Sequence, residues 1–470
     1  MMEKSYKLID IVIENVKNVG KGEISLLDSD RPINMLGIYG QNGSGKTTLI
    51  QSIEFLKKLV GQTNINNYLL DMLSINKVSL IKATFQLNRE RIITYSIKFI
   101  KEYNQQQEFI TNDAENYNLK IISESISTKE IKKNAKEKNL IEFRLDEDGN
   151  GRLFPISNFS ASKSNQQMLN LAVTQSAEEN KSVIFSTPVD RIINLSNNKK
   201  LDELKSVYIE VESFFDNVFV YTNEMSGIIN AQLAIPFLFA TNSGDTSAFG
   251  TIGLAADSPS VVPIDAVNIL DNIINQINTV LPNIVPGEEV SLKKYGIQMS
   301  ENGKEGSRVE LVSNRDGKIF PFRAESDGIK KIVSILSALI YSYNSPKAIV
   351  LIDELDSGIF EFLLGELLAV LTDGSKGQII FTSHNLRPLE ILNEKQIIFT
   401  TTNSEMRYVR PKNIKATNNL RDIYIKEIQL GTNEGYSLYN ETDSSTIQKS
   451  FRRAAKLSSE VKEAVKDAKK

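Results

Sequence analysis

Residues 40–47 read GQNGSGKT, which fits the spacing G-x-x-x-x-G-K-[ST], and a second threonine, Thr48, follows. Glycines at this spacing let backbone N–H groups converge on phosphate oxygens, and a helix opening there adds its positive end. Gly40, Asn42, Gly43, Ser44, Gly45 and Thr48 are therefore candidate nucleotide-binding residues. Lys46 is placed to neutralise the β- and γ-phosphates, and the Thr47 hydroxyl to ligate Mg²⁺. Residues 348–354, AIVLIDE, form an apolar run ending in two acids. That pattern puts Asp353 at a sheet edge facing the Mg²⁺ shell. It leaves Glu354 beside the γ-phosphate, where it can polarise an attacking water. Residues 379–385, IIFTSHN, place the chain's one histidine, His384, directly after another apolar run. Imidazole at the carboxyl end of a strand can hydrogen-bond a γ-phosphate or the attacking water. The competing reading of a lone histidine is a satisfied core residue.

Composition narrows the remaining chemistry. The 470 residues include no cysteine, which excludes a disulfide scaffold, a cysteine nucleophile and cysteine-ligated zinc or iron–sulfur. One histidine excludes the usual histidine-based metal sites and leaves His384 as the sole basis for a Ser-His-Asp triad. Lys and Arg total 55 against 58 Asp and Glu, a net charge of −3, so global charge does not indicate nucleic acid or membrane. No apolar stretch is long enough to span a bilayer and the amino terminus lacks a signal-peptide core, so a cytoplasmic location is expected.

The elements that position these residues read as α/β. Strand-like runs cover residues 8–16, 33–39, 78–86 and 91–99, and helical spacing covers residues 46–60. Residues 265–285 read as helix, and 290–299 and 307–312 as strands. Residues 328–343 and 360–371 then read as helices around the buried strands 348–352 and 377–382. Alternation of this kind predicts a mostly parallel sheet with helices packed around it. Residues 129–138, KEIKKNAKEK, are charged and helix-prone, either a solvated helix face or a phosphate-backbone contact. Residues 146–151, DEDGNG, read as a hairpin turn on Asn150-Gly151 rather than a calcium loop, because the twelfth position is Ser157. Residues 451–470 carry a basic, short helical seam.

The order of these features resembles the ABC-type ATPase head: phosphate loop, Ser-x-Gly helix start, strand ending in Asp-Glu, strand ending in His. Residues 325–331, ESDGIKK, are similar to the S-x-G-x-[KR] signature of SMC-like and OLD-like ATPases of the AAA_15/AAA_21 type. The resemblance implies that Ser326 and Gly328 contact the γ-phosphate bound to a partner subunit; by itself ESDG is a good helix cap. Residues 13–17, IENVK, match the I-x-N-[FV]-[KR] strand of these heads, with Lys17 either reaching the nucleotide or lying on the surface. Residues 355–359, LDSGI, make Asp356 a candidate for communication between two sites. Relatives often continue with Leu-His-Pro where this chain has Ile359-Phe360-Glu361, so the role of that later histidine is absent. The Q-loop glutamine stays open among Gln86, Gln166 and Gln167.

The expected fold is thus an α/β ABC-type P-loop ATPase head, a mixed and mostly parallel sheet with flanking helices, and a largely helical insertion. Residues 1–100 and 290–415 would build the head, 101–289 a mixed, partly helical and partner-binding insertion, and 416–470 an extension ending in a basic helix. The segment after His384 is short and has no D-x-D, unlike OLD-type nucleases with a TOPRIM domain, and long coiled coils are missing. What remains resembles the stand-alone ATPase subunits of bacterial phage-defence systems of the PARIS, AbiL or Septu type. The resemblance implies an ATP- and Mg²⁺-dependent head-to-tail homodimer or larger homo-oligomer. It would restrain a separate effector, a TOPRIM or HNH nuclease, and respond to a phage protein. The competing expectation is a DNA-engaging repair or chromosome-maintenance ATPase like SMC or RecF.

Overall fold

A computed structural model describes residues 4–454, apart from 66, 104–116, 156–157, 160–161, 195–198, 223–234, 244–245, 256–257, 300–302, 304, 412–418 and 431–435. The basic seam expected at 451–470 lies mostly outside these residues.

Two sheets organise the molecule. The first is a seven-stranded antiparallel sheet that starts with β1 (Tyr6–Val16) and β2 (Val19–Ser25). Its strands alternate buried and half-buried side chains, the period-two pattern of a sheet with one face on a core. The second sheet receives β3 (Met35–Tyr39), whose five residues are all buried. Helix α1 (Lys46–Val60) follows and runs between the two sheets, with Leu49, Ile50, Ile53, Phe55 and Leu56 at most 1% exposed. Its covered surface also includes the polar Thr48, Gln51 and Ser52, and the Ser52 hydroxyl donates back to the Thr48 carbonyl at 2.7 Å.

The antiparallel sheet continues through β4 (Val78–Leu87), β5 (Arg91–Tyr103), β6 (Tyr117–Glu130), β7 (Lys138–Leu145) and β8 (Gly151–Phe154). Helices α2 (Lys163–Glu179) and α3 (Asp202–Asp216) come next, and then β9 (Val218–Tyr221), which returns to the second sheet. A hairpin of β10 (Ile235–Ser243) and β11 (Thr246–Leu254) precedes β12 (Ser260–Pro263) and helix α4 (Ile264–Ile284). Strands β13 (Glu288–Met299), β14 (Glu305–Arg315) and β15 (Lys318–Pro321) form a small antiparallel sheet with β12. The closing half is α5 (Asp327–Asn344), β16 (Ile349–Ile352), α6 (Glu361–Gly374), β17 (Gln378–Thr382), β18 (Ile397–Thr400), β19 (Tyr408–Val409) and α7 (Leu420–Leu430).

The second sheet has the order β9-β16-β17-β3-β18-β19, parallel except for the last pair. Every residue of β16, β17 and β18 is buried, as a parallel sheet covered on both faces requires. One core joins the antiparallel sheet, α1, α3 and one face of the parallel sheet. The other joins the opposite face to α4, α5 and α6. The expected elements of both head halves stand within a few residues of the stated bounds.

Three expectations are corrected. Residues 101–289 hold strand and helix in comparable measure, and they are built into the head: β6, β7 and β8 complete its antiparallel sheet and β9 edges its parallel one. Residues 129–138 are no helix. Lys129 and Glu130 end β6, Lys138 opens β7, and Asn134 takes a left-handed φ of 66° in the connection between them. Cross-strand pairing of Thr128 with Lys138 overrides the local helical propensity. A hairpin does form at 146–150 as expected, but not on Asn150-Gly151: its left-handed residue is Gly149 at φ 80°, Gly151 of β8 already pairs with Leu145, and Asn150 N–H donates to Asp146 Oδ1 at 2.7 Å.

Candidate functional site

The parallel strands β3, β16 and β17 end at one edge, where α/β sheets collect ligands. The phosphate loop leaves β3 with Gly40, whose place allows no side chain because a Cβ would lie 1.7 Å from Thr400 Oγ1. Gly45 closes it at φ 96°, a left-handed conformation that lets α1 start at Lys46 with its first N–H groups turned into the loop. Lys46 is 6% exposed and donates to the carbonyl oxygens of Gly40 at 2.7 Å and Gln41 at 3.1 Å. Burial lowers its pKa, and the charges of Asp353, Glu354 and Asp356 oppose that shift.

Thr47 and Asp353 meet across 306 residues: Thr47 Oγ1 donates to Asp353 Oδ2 at 2.9 Å. Thr382, at the end of β17, donates to Asp353 Oδ1 at 2.6 Å and accepts from the Glu354 N–H at 2.8 Å. Asp353 is 1% exposed; burial raises its pKa, and its bonds to Thr382 and Thr47 partly offset this. Glu354 is half-buried, holds a left-handed φ of 48°, and accepts from Lys331 through its backbone carbonyl. His384 is exposed at the same edge, with its backbone N–H donating to Asp356 Oδ2 at 3.2 Å. Burial and the charge of Lys46 lower its pKa below the ordinary value, so the ring is neutral at pH 7. Asp356 also receives the Asn385 N–H at 3.0 Å, which ties the loop after Glu354 to the loop carrying His384.

The remaining candidates divide. Asn42 and Gly43 are exposed on the phosphate loop. Ser44 lies under it, bonded to the Gln41 carbonyl at 2.6 Å and to Thr400. Thr48 is turned from the loop, and its hydroxyl donates to Asn18 Oδ1 at 3.0 Å. Ser326 caps α5, accepting from the Ile329 N–H at 3.3 Å, and is exposed. Gly328 packs on Gly358, whose carbonyl oxygen would lie 2.1 Å from an added Cβ. Among the described residues no hydrogen bond joins Ser326 to the phosphate loop of its own chain.

Lys17 reaches Gln51 at 3.5 Å, and it is the next residue, Asn18, that touches the phosphate loop at the Gly43 carbonyl. None of the three glutamines offered for the Q-loop stands at this edge. Gln86 pairs with Lys7, at the opposite end of β1 from Val16, while Gln166 and Gln167 lie on α2. The insertion reaches the site through β9 instead: the Asp353 N–H donates to the Tyr221 carbonyl at 2.8 Å, and buried Thr222 follows.

Three contributors are not among the residues singled out from the sequence. Lys331, 5% exposed on α5, lies beside Asp353, Glu354 and Asp356, and burial pushes its pKa down to about 8. Arg407, also buried, spans from the Thr401 carbonyl at 2.5 Å to the Asn18 carbonyl and supports Gly45 from below. Arg315 joins Glu288 at 2.8 Å and Glu325 at 2.9 Å, immediately before the cap Ser326. Lys331 alone had a signal, the second basic residue of ESDGIKK.

Lys46, Thr47, Asp353, Glu354 and His384 thus share one sheet edge, beside a loop whose first glycine, Gly40, has no room for a side chain. This set fits a nucleotide triphosphate. The Thr47–Asp353 oxygen pair fits Mg²⁺, which takes one or two protein oxygens plus phosphates and water. No larger cluster of His, Asp and Glu that could hold a metal occurs among the described residues.

Three solved structures match over most of the chain at low identity. The SMC head domain from Thermotoga maritima is 12% identical, with 86% of this chain and 99% of that one covered at a TM-score of 0.35. The Smc head with a coiled coil and joint from Pyrococcus yayanosii is 11% identical, with 89% and 100% covered at 0.40. The recombination mediator RecF with ATP is 13% identical, with 81% and 93% covered at 0.31. No curated protein matches the chain, and no helix of the described residues is long and apolar enough to cross a membrane. Residues 35–390, from the strand before the phosphate loop to just beyond His384, match the family model described as "AAA domain, putative AbiEii toxin, Type IV TA system". The chain belongs to that family, an AAA-type family with a phosphate loop.

Proposed function

We propose that the chain hydrolyses ATP between two copies arranged head to tail, and that this dimer regulates a separate effector in anti-phage defence. The observation that carries the reading is the division of the candidate residues. The Thr47–Asp353 pair, Lys46, Glu354 and His384 meet at one edge, while Ser326 is exposed on α5 and unconnected to its own phosphate loop. A second copy supplies the signature that such a half-site lacks.

In this reading Lys46 turns from the Gly40 and Gln41 carbonyls to the phosphates. Mg²⁺ held by Thr47 and Asp353 supplies charge neutralisation at the phosphate oxygens. Glu354 orients a water and takes its proton as the oxygen bonds to the γ-phosphorus and the bond to ADP breaks. Neutral His384 donates a hydrogen bond to the developing charge, and Ser326 with the α5 N-terminus of the partner closes the far side.

The effector role is supported by a family description that names a toxin system. Light scattering on wild type and Lys46→Ala, alone and co-expressed with the product of the adjacent gene, tests it. A nucleotide-sensitive complex containing that product is expected. Indifference to it, together with DNA-stimulated hydrolysis, would replace the regulator by a DNA-engaging ATPase.

A further inference from the structure

The edge of the parallel sheet opposite the phosphate loop carries a second cluster of cations. A cavity of about 230 Å³ opens there between the segment entering β3, the segment entering β17 and the turn from β4 to β5. Lys7, Arg89 and Lys376 line it together with the amides of Asn34, Gln86 and Asn88, and none of its lining residues is acidic. The Lys7 ammonium is anchored by the carbonyl oxygens of Lys376 at 2.5 Å and Gly377 at 2.8 Å, which leaves one of its three hydrogens uncommitted.

Arg89 is held beside this ammonium by a clamped turn. Asn88 N–H donates to the Ser5 carbonyl at 3.0 Å, Ser5 N–H donates to Asn88 Oδ1 at 2.9 Å, and both Asn88 and Arg89 hold left-handed backbone conformations. No side-chain hydrogen bond or ion pair of Arg89 or Lys376 occurs among the described residues. Burial and the nearby charge of Arg89 bring Lys7 down to about 8. Like charges held together without a counter-charge disfavour one another, and an anion between them removes the penalty.

We propose that this cavity binds a small phosphate-class anion: inorganic phosphate, pyrophosphate or the phosphate end of a nucleotide. Three cations match the charge of one or two phosphate groups, and the Arg89 fork suits phosphate geometry. At about 30 Å³ per water the cavity holds the equivalent of roughly eight waters, which is room for such a group with part of its hydration. The surface beyond it favours a small ligand over a nucleic-acid backbone. Arg91, Lys129, Lys132 and Lys133 continue outward, but Asp30, Glu90 and Glu130 interleave with them, and Glu130 pairs with Lys132 at 2.9 Å. The cavity also adjoins the amino-terminal ends of β3 and β17, whose carboxyl ends lead to Gly40 and His384.

The test is calorimetric titration of phosphate and pyrophosphate into the full chain carrying Lys46→Ala, which disables the phosphate loop. Arg89→Ala, Lys376→Ala and Arg89→Lys are then added singly; both side chains are exposed, so no packed volume is lost. Saturable binding is expected, weakened about tenfold or more by Arg89→Ala or Lys376→Ala and only a few-fold by Arg89→Lys. No binding to the Lys46→Ala chain, or binding insensitive to both alanine changes, overturns the site. A single-stranded oligonucleotide that binds more tightly than pyrophosphate and is lost with Arg89→Ala also overturns it, by assigning the cations to a nucleic-acid backbone.

Discussion

At the scale of single residues, the backbone of Glu354 is the most constrained feature of the site. A non-glycine residue at φ 48° holds a costly conformation, and here Thr382 binds its N–H while Lys331 binds its carbonyl. The carboxylate is thereby aimed without a side-chain hydrogen bond among the described residues. Glu354→Gln keeps the shape and removes the base. Turnover is expected to fall about 100-fold or more with ATP binding retained, read by single-turnover hydrolysis and equilibrium binding. Equal loss of binding would mean that Glu354 acts structurally. Lys331 makes a separate prediction through pH. Its folded-state pKa near 8 lies below the ordinary 10.5, so the folded chain binds fewer protons than the unfolded chain between these values. Stability attributable to Lys331 therefore rises as pH passes from 8 to 10.5, by at most about 3 kcal/mol. The stability of Lys331→Met relative to wild type, measured by urea unfolding, should decline across that window; a flat difference would place the wild-type ammonium in water.

At the scale of elements, the start of α5 depends on the small sheet before it. Arg315 at the end of β14 bridges Glu288 of β13 and Glu325, whose carboxylates are 0% and 3% exposed, and Ser313 donates to Glu325 at 2.8 Å. Removing Arg315 leaves two buried acids facing each other, and burial already raises the pKa of Glu288. Arg315→Ala is expected to cost about 1–3 kcal/mol, because the guanidinium is itself 38% exposed, and adding Glu288→Gln should recover part of it. A double-mutant cycle with no coupling would show that the three residues do not act together. This network was illegible in the sequence because its members lie on three elements and meet only after the strands pair. The phosphate loop, the strand ending in Asp353 and the cap at Ser326 were legible because each is a local pattern: a glycine spacing, an apolar run, a serine before a helical period. The charged segment at 129–138 misled for the converse reason, since its helical propensity is local and the β6–β7 pairing that overrides it is not. Gln86 fits a Q-loop only by residue type, and its register opposite Lys7 puts it at the wrong end of β1.

At the scale of the whole molecule, the layers bear on the proposal that one copy holds half of each site. Strand β3 and α1, which packs on the antiparallel-sheet side of the parallel sheet, carry the phosphate loop, while α5 and α6 on its opposite face carry Ser326 and the loop at Gly358. Beside that loop Phe360 and Phe362 stack with centroids 6.1 Å apart and stay 71% and 62% exposed, an apolar surface suited to a second copy. If each site takes its phosphate loop from one chain and its signature from the other, two inactive variants must complement each other. Lys46→Ala keeps a good signature, and Ser326→Arg keeps a good phosphate loop. Mixed in equal amounts, half of the dimers are heterodimers in which one of the two sites is intact, so about a quarter of wild-type hydrolysis should return. The mixture should also recover an ATP-dependent dimer on a sizing column, which Lys46→Ala alone cannot form. An inactive mixture that still exchanges subunits, shown by two differently tagged chains co-purifying, would mean that each copy completes its own site. The exposed Ser326 would then be only a helix cap.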